Sequence, residues 1–250
     1  MPVSPIIFKN HFENTVSPFG WNGVNVSAGC AVAVDAKRPH HGAYNLLSTL
    51  GANLGANLSA VVYRGSLANA YRHLNVRVMN AIVDVLPEDN ADDFNLMAFS
   101  AATGGIGYGG ISNSGGTSYW FIIRRSGGLY SDVLSTLSPI ANKTYCLELE
   151  ILQSTAGNSD GFVKFYVDGN LAVSALNLDN DDLTLDYVTV GFSASVAPDL
   201  SAANFRCDCA EISKMYIGCE KFRMNLLSRG KKTRSDLVST VRAGTRMGLH

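Results

Sequence analysis

Hydrophobic and polar residues alternate along much of this chain, which is the period of a β-strand with one buried face. The clearest example runs from Gly161 to Ala175, where apolar residues occupy every second position on both sides of Asp168-Gly169. An Asp-Gly pair suits a tight type I′ turn, because both central residues of that turn must adopt positive φ. The stretch therefore predicts a β-hairpin.

Similar short runs recur between residues 6 and 217, separated by segments rich in Gly, Asn, Ser and Asp. The longest candidate strand, His73 to Leu86, loses its alternation at Asn80-Ala81, which predicts a bulge or a bend. No convincing helical periodicity precedes residue 220. About a dozen strands of this kind predict an all-β fold, a two-sheet antiparallel jelly-roll sandwich.

Charge divides the chain into two parts. Residues 1–219 contain 12 Lys and Arg against 19 Asp and Glu, a balance of −7, and residues 220–250 contain 8 against 2, a balance of +6. The shift predicts a jelly-roll sandwich over residues 1–218 and a basic C-terminal arm over residues 219–250.

The arm is expected to dock on an acidic surface of its own subunit or of a neighbour. Ser235 can cap a helix that ends near Arg242, which is too short to be stable unless it packs on something. Attraction to nucleic acid or to anionic lipid is an alternative, with nucleic acid disfavoured because no reading motif is present, and a flexible solubilising end is another. The residues expected to make the docking contacts are Arg229, Lys231, Lys232, Arg234, Leu237 and Val241.

Several function classes are disfavoured by what the sequence lacks. No run of apolar residues is long enough to span a membrane, and residues 1–13 do not resemble a secretion signal, so we expect synthesis in the cytoplasm unless a signal was removed. The five cysteines are an odd number, which favours free thiols. Cys207, Cys209 and Cys219 offer soft ligands, but no fourth Cys or His follows at finger-like spacing, so zinc is disfavoured.

The glycine-rich residues 103–118 are predicted to form a surface loop rather than a phosphate cradle, since an aromatic strand and not a helix follows them. In that strand, Tyr119–Arg125, one parity is expected in the core. Trp120 and Arg124 then face outward, where an aromatic ring can stack on a sugar and a guanidinium can bind its hydroxyls. Alternatively, both faces of this strand are covered, one by the opposite sheet and the other by a neighbouring subunit or loop.

Four segments in the order KTYCLELEIL, GFVKFYVDGNLAV, LDYVTVGFS and CAEISKMYIG resemble the second half of a concanavalin A-like lectin/glucanase jelly roll of the laminin-G-like kind. The opening, HFEN, Trp21 and HHGAYNLL, is similar to the start of such domains. The resemblance covers roughly residues 6–218 and implies a fold rather than one activity. The superfamily includes carbohydrate-binding modules, glycosidases, lyases, adhesion domains and virus or phage structural parts.

Glu148 and Glu150 share one face of a predicted strand, at a separation that a retaining glycosidase could use. The third acid of the glucanase pattern is missing, and pairing with Lys164 and Tyr166 explains the same residues without chemistry. The typical residue set of the family's lyases is not apparent either. The sequence therefore predicts that the chain is not an enzyme.

The sequence offers candidate residues for two kinds of ligand, a carbohydrate and a calcium ion. The candidate carbohydrate-binding residues are Trp120, Arg124, Tyr108 and Tyr166. No cofactor is expected, with calcium as a possible exception, because this superfamily often binds it and an acidic loop offers hard oxygen ligands. The candidate calcium ligands are Asp179, Asp181 and Asp182.

The interpretation that joins these features is a non-catalytic structural or binding subunit of a larger assembly. A capsid, decoration or tail component of a virion or phage would be made in a reducing cytoplasm and could assemble as a homo-oligomer through its arm. A virion or extracellular assembly is the expected location. A carbohydrate-binding module is the alternative, and a glycoside hydrolase that uses Glu148 and Glu150 is the third reading.

Overall fold

The computed structural model describes residues 6–37, 39, 42–52, 56–65, 67, 71–90, 92–101, 103–196 and 202–219. By its internal contacts the chain divides into Met1–Gly218 and Cys219–His250. The described part is all-β and consists of two antiparallel sheets, as the sequence predicts. None of it forms a helix that could cross a membrane. The six arm residues expected to make docking contacts lie outside the described residues, so docking of the arm stays a prediction.

One sheet has eight strands and contains both ends of the sandwich. Its first strand, β1 (Ile6–Asn10), pairs with its last, β15 (Ala203–Ser213), which places the start and the end of the domain side by side. In spatial order the strands are β13 (Asn170–Leu178), β12 (Gly161–Val167), β11 (Tyr145–Leu152), β6 (His73–Val83), β15 (Ala203–Ser213), β4 (Asn45–Leu50) and β3 (Ala31–Asp35), with β1 (Ile6–Asn10) beside β15.

The other sheet has seven strands. The residues from Gly104 to Ser114, predicted as a loop, form one of its strands, because their glycines allow close approach of the neighbouring backbone. A Cβ at Gly110, for example, would overlap the carbonyl of Phe94 on the next strand. In spatial order the strands are β10 (Leu129–Leu134), β9 (Thr117–Ser126), β8 (Gly104–Ser114), β7 (Asp93–Ala101), β14 (Tyr187–Val196), β5 (Ala56–Arg64) and β2 (Gly23–Val26).

Two local predictions are confirmed. Asp168 and Gly169 have φ values of 52° and 83° and join β12 to β13, as a type I′ turn requires. Asn80 has a φ of 52°, and the pairing of β11 with β6 shifts next to it, so the interrupted alternation does mark a bulge.

The core lies between the two sheets and is rich in aromatic side chains. Phe192 of β14 contacts Phe94 at 5.1 Å and Phe205 at 5.8 Å between ring centroids. Trp120 is also part of this core, with its ring 5.0 Å from Tyr145 and only 2% of its surface exposed. The prediction that Trp120 faces outward is therefore wrong.

The cysteines differ from expectation in part. Cys30, Cys207 and Cys209 are not in disulfides, whereas Cys146 and Cys219 are disulfide-bonded.

Candidate functional site

Four of the tyrosines on the outer face of the seven-stranded sheet form a group that we call the tyrosine face. They come from four strands, β5, β8, β10 and β14, and are Tyr63, Tyr108, Tyr130 and Tyr187. Strand pairing sets their relative positions. Asp132 lies opposite Ile123, and Ile123 lies opposite Tyr108. Because directly paired residues share a face of a sheet, Asp132 and Tyr108 project to the same side.

The ring of each of these tyrosines packs against a glycine. Glycine destabilises a strand, so its presence in one often marks a site where another group approaches the backbone closely. A Cβ at the supporting glycine would lie less than 3.0 Å from the tyrosine side chain, closer than real Cβ contacts. The pairs are Gly23 with Tyr63, Gly65 with Tyr187, Gly104 with Tyr130, and Gly105 with Tyr108. The lack of a side chain at these glycines thus leaves space for the rings to lie against the sheet surface.

Two open depressions lie on the tyrosine face. The first depression, of about 550 Å³, is lined by Asn95, Tyr108, Ile123, Tyr130, Asp132, Ser193 and Ala194. The second depression, of about 440 Å³, is lined by Val24, Asn25, Val61, Tyr63, Ser100, Tyr187 and Thr189. Both combine aromatic rings with small polar side chains, the composition typical of ligand sites.

Two buried polar atoms, one in the first depression and one on the same strand beside it, have hydrogen-bonding capacity that is not used. Asn95 is 8% exposed, and in the described part of the chain its Oδ1 has no hydrogen-bond partner. The same holds for Oδ1 of Asp93, which lies on the same strand and the same parity. Buried polar groups without partners are rare in folded proteins. A ligand with hydroxyl groups would supply the missing donors.

Electrostatics distinguish Asp93 from an ordinary surface carboxylate. Burial raises the pKa of Asp93 to about 6, nearby Asp132 and Asp92 add to the increase, and a hydrogen bond with Ser112 opposes it. Burial also raises the pKa of Asp132. Asp93 is therefore half protonated at about pH 6, where an ordinary aspartic acid is almost fully ionised.

The rim of the first depression carries a fixed cation. Arg125 binds Asp182 through Nε and Nη2, at 2.8 and 2.6 Å from Oδ2. The same guanidinium lies 5.0 Å from the centroid of Tyr130. Tyr130 in turn donates a hydrogen bond to the carbonyl of Gly105 at 2.9 Å. These contacts restrict the position of the Tyr130 ring.

The four predicted carbohydrate-binding residues do not form one site. Tyr108 lies on the tyrosine face. Trp120 is in the core, and Arg124 pairs with Gly107, whose Cβ would point at Val163 of the other sheet, so Arg124 follows the inward parity. Tyr166 lies on the other sheet and donates to Glu150 at 2.8 Å.

The carboxylates of Glu148 and Glu150 make hydrogen bonds within the protein. The Glu148 carboxylate accepts the N–H groups of Ile217 and Gly218 at 2.7 and 2.9 Å, and burial raises its pKa to about 7. Glu150 bonds to His73 and to Tyr166, each at 2.8 Å. With 1% and 6% of their surfaces exposed, the two glutamates anchor the segment 214–218 and the neighbouring strands rather than face a substrate.

The predicted calcium ligands do not converge. Asp182 is occupied by Arg125, and the proximity of Asp181 raises the pKa of Asp179. Among the described residues, three metal-ligand side chains meet at another place, formed by His11, Asp208 and Cys209.

Sequence reasoning missed most of the tyrosine face. Tyr63, Tyr130 and Tyr187 are far apart in the chain, and only strand order brings them together. One signal was present: a strand whose glycines precede a tyrosine, as in Gly104-Gly105 before Tyr108, is a place where a ring can rest on the backbone.

No family model matches the chain, and no curated protein matches it by sequence. Solved structures do match. An endo-β-1,4-glucuronan lyase from the fungus Trichoderma reesei is 14% identical with a TM-score of 0.64, over 84% of this chain and 96% of that one. An alginate lyase is 12% identical with a TM-score of 0.57, over 87% and 100%.

A structure of botulinum neurotoxin type C, whose cell entry depends on two ganglioside molecules, is 11% identical with a TM-score of 0.56. The match covers 90% of this chain and 51% of that chain. These likenesses establish the fold, a two-sheet jelly-roll sandwich. They give no support for a virion subunit.

The prediction that the chain is not an enzyme is contradicted by these structures. It rested on the missing third acid of the glucanase pattern beside Glu148 and Glu150, and on the absence of the residue set typical of the family's lyases. Two of the matching structures are polysaccharide lyases, so a sandwich of this kind can carry catalysis.

Proposed function

We propose that the chain binds a glycan along the tyrosine face. The observation that carries this proposal is the first depression, where Tyr108 and Tyr130 border Asn95, a buried amide with an unused oxygen. Aromatic rings stack on the C–H faces of sugars, and amide and carboxylate oxygens accept hydrogen bonds from hydroxyl groups. The ganglioside-dependent toxin and the polysaccharide lyases of the same fold support this ligand class.

The ligand is an oligosaccharide rather than a single sugar. The second depression lies on the same face, and residues of β7 and β14 line both depressions. Asp132 on β10 and Tyr63 on β5 are separated by five strand spacings, which is about 24 Å at roughly 4.8 Å each. A chain of several sugars is needed to contact both ends.

The ligand is neutral rather than a polyuronate. None of the described residues that line the first depression is Lys, Arg or His, whereas Asp132 is an acid and Asp93 lies close to it. A uronate carboxylate would face two acids without a lining cation to balance it. The nearby Arg125 is already paired with Asp182.

Binding is tested with a panel of neutral and acidic oligosaccharides, followed by calorimetry on the best neutral binder. Tyr130→Ala is expected to weaken binding about tenfold or more, since loss of one stacked ring costs roughly 1.4 kcal/mol. Tyr216→Ala is the matched control. Tyr216 is 44% exposed against 48% for Tyr130, and also donates to a glycine carbonyl, but lies outside the tyrosine face. Equal losses in both variants, or absence of glycan binding, would refute the proposal.

A second candidate function is cleavage of the bound glycan, favoured by the raised pKa of Asp93 beside Asp132. In hydrolysis, protonated Asp93 would give its proton to the leaving glycosidic oxygen as that oxygen leaves the anomeric carbon. Ionised Asp132 would take a proton from the water that attacks this carbon. Elimination is less compatible with the site, because a uronate carboxylate would lie close to Asp132 and Asp93 without a lining cation.

Cleavage is tested by reducing-end release and by the absorbance of unsaturated sugars. Asp93→Asn and Asp132→Asn should each reduce reducing-end release about a hundredfold or more while glycan binding persists. Asp160→Asn, an exposed aspartate elsewhere, serves as the control. Unsaturated products would show elimination and refute the assignment of hydrolysis, and activity retained in both variants would remove Asp93 and Asp132 from the reaction.

A further inference from the structure

A bulge in β15 directs two consecutive side chains to one place. Neighbouring residues of a regular strand point to opposite faces. The pairing of β15 with β6 shifts on both sides of Asp208, and Cys209 has a φ of 51°, a conformation unusual for a residue with a side chain. Asp208 Oδ1 accepts the N–H of Cys209 at 2.6 Å, which fixes the direction of the carboxylate. Bulges of this kind often re-aim side chains at functional sites.

A third side chain arrives from the other end of the domain. Asn10 at the end of β1 pairs with Ala210, so the next residue, His11, lies beside Cys209. The distance from His11 Nδ1 to Cys209 Sγ is 3.1 Å. One ligand atom from each of His11, Asp208 and Cys209 lies within 4.8 Å of the other two.

We propose that His11, Asp208 and Cys209 bind a divalent transition metal, with Zn²⁺ the best match. Imidazole nitrogen, thiolate sulfur and carboxylate oxygen are the three protein ligand types of zinc. Bond lengths of about 2.0 Å to nitrogen and about 2.3 Å to sulfur, at tetrahedral angles, separate the two atoms by roughly 3.5 Å. The observed 3.1 Å needs only a small adjustment of the His11 side chain. A thiolate ligand disfavours calcium and magnesium, which take oxygen.

Burial and charge agree with a metal. Asp208 and Cys209 are 0% and 2% exposed, and an ionised carboxylate with a thiolate would be neutralised by one divalent cation. His11 is half-buried, so an ion would enter from its side. The alternative role of a Cys–His pair is a nucleophile and its base, but the low exposure of Cys209 leaves no room for a substrate.

The set differs from the one that the sequence suggested. Cys207 faces the core, Cys219 is disulfide-bonded, and the histidine is 198 residues from Cys209 in the chain. Three protein ligands leave one tetrahedral position for water.

The test uses the full chain and Co²⁺ as a spectroscopic substitute for Zn²⁺. We expect one Co²⁺ per chain, with a sulfur-to-cobalt charge-transfer band in the near ultraviolet and displacement by Zn²⁺. Cys209→Ser should abolish the band, and His11→Gln should weaken binding tenfold or more. Cys30→Ser, which removes another cysteine that is not in a disulfide, should leave both unchanged. Zn²⁺ should also raise the melting temperature of the wild type but not of Cys209→Ser.

Failure to bind Co²⁺, or a band that persists in Cys209→Ser, would overturn the proposal. A spectrum of oxygen ligands alone would do the same. Circular dichroism establishes that each variant is folded, and if Cys209→Ser does not fold, the half-buried His11→Gln decides, since unchanged affinity there would reject the site. None of these outcomes depends on glycan binding.

Discussion

Replacing Asp93 with asparagine is expected to stabilise the folded domain at neutral pH. The folded-state pKa of Asp93 is raised to about 6 from 3.8, so the native state binds the proton more tightly than the unfolded chain does. This contribution to stability is complete below pH 3.8 and is lost as pH rises through about 6. Above that range a charged carboxylate remains half-buried. Asparagine keeps an oxygen for Ser112 and never ionises.

The size of the effect follows from the two pKa values. A difference of about two units corresponds to roughly 3 kcal/mol at about 1.4 kcal/mol per unit. Because Asp93 is only half-buried, solvent screens part of the penalty, and we expect about 1–2 kcal/mol at pH 7. For a domain of this size that is a rise of about 2–8 °C in melting temperature.

The assay is urea and thermal unfolding of wild type and Asp93→Asn at a series of pH values between about 3.5 and 8. The difference in unfolding free energy should grow across the interval between the two pKa values and then level off. Asp160→Asn is the control, because hydrogen bonds from Thr155 lower the pKa of Asp160 and the same stabilisation is not expected. A difference that does not change with pH, or a less stable Asp93→Asn at pH 7, would show that Asp93 carries no such penalty. Stabilisation on removal of a group is typical of residues kept for function rather than for folding.

Three further substitutions test the architecture by urea unfolding. Trp120→Ala should cost about 3–5 kcal/mol, because it leaves a cavity between the sheets, whereas an exposed Trp120 would cost almost nothing. Glu148→Gln should cost about 1–3 kcal/mol, since an amide cannot accept the N–H groups of both Ile217 and Gly218 with two oxygens; an unchanged midpoint would contradict that anchoring. Gly110→Ala should destabilise by about 1–3 kcal/mol or more, because its Cβ overlaps the Phe94 carbonyl, and a neutral result would contradict the close pairing of β7 and β8.

Local features of the structure could be predicted because neighbouring residues determine them. The period of two marks the strands, and the backbone freedom of glycine marks the turn at Asp168-Gly169. The face of a strand is harder to predict when both sides are covered. Trp120 and Phe121 are adjacent, point to opposite faces and are 2% and 0% exposed, so alternation could not tell which of them lies between the sheets.

The sites depend on strand order. Glu148 and Glu150 do project from the outer face of their sheet, but the segment 214–218 covers Glu148, and the sequence pattern does not record that cover. Tyr63, Tyr108 and Tyr130 come to share one face only after β5, β8 and β10 enter the same sheet.

The sequence by itself determined that this chain forms short antiparallel strands in a two-sheet sandwich, because alternation and turn chemistry act over a few residues. Only the tertiary structure decided which side chains meet, as His11 and Cys209 do across 198 residues. Contacts between residues so distant in the sequence depend on strand register, bulges and strand order, which are set by packing across the whole domain.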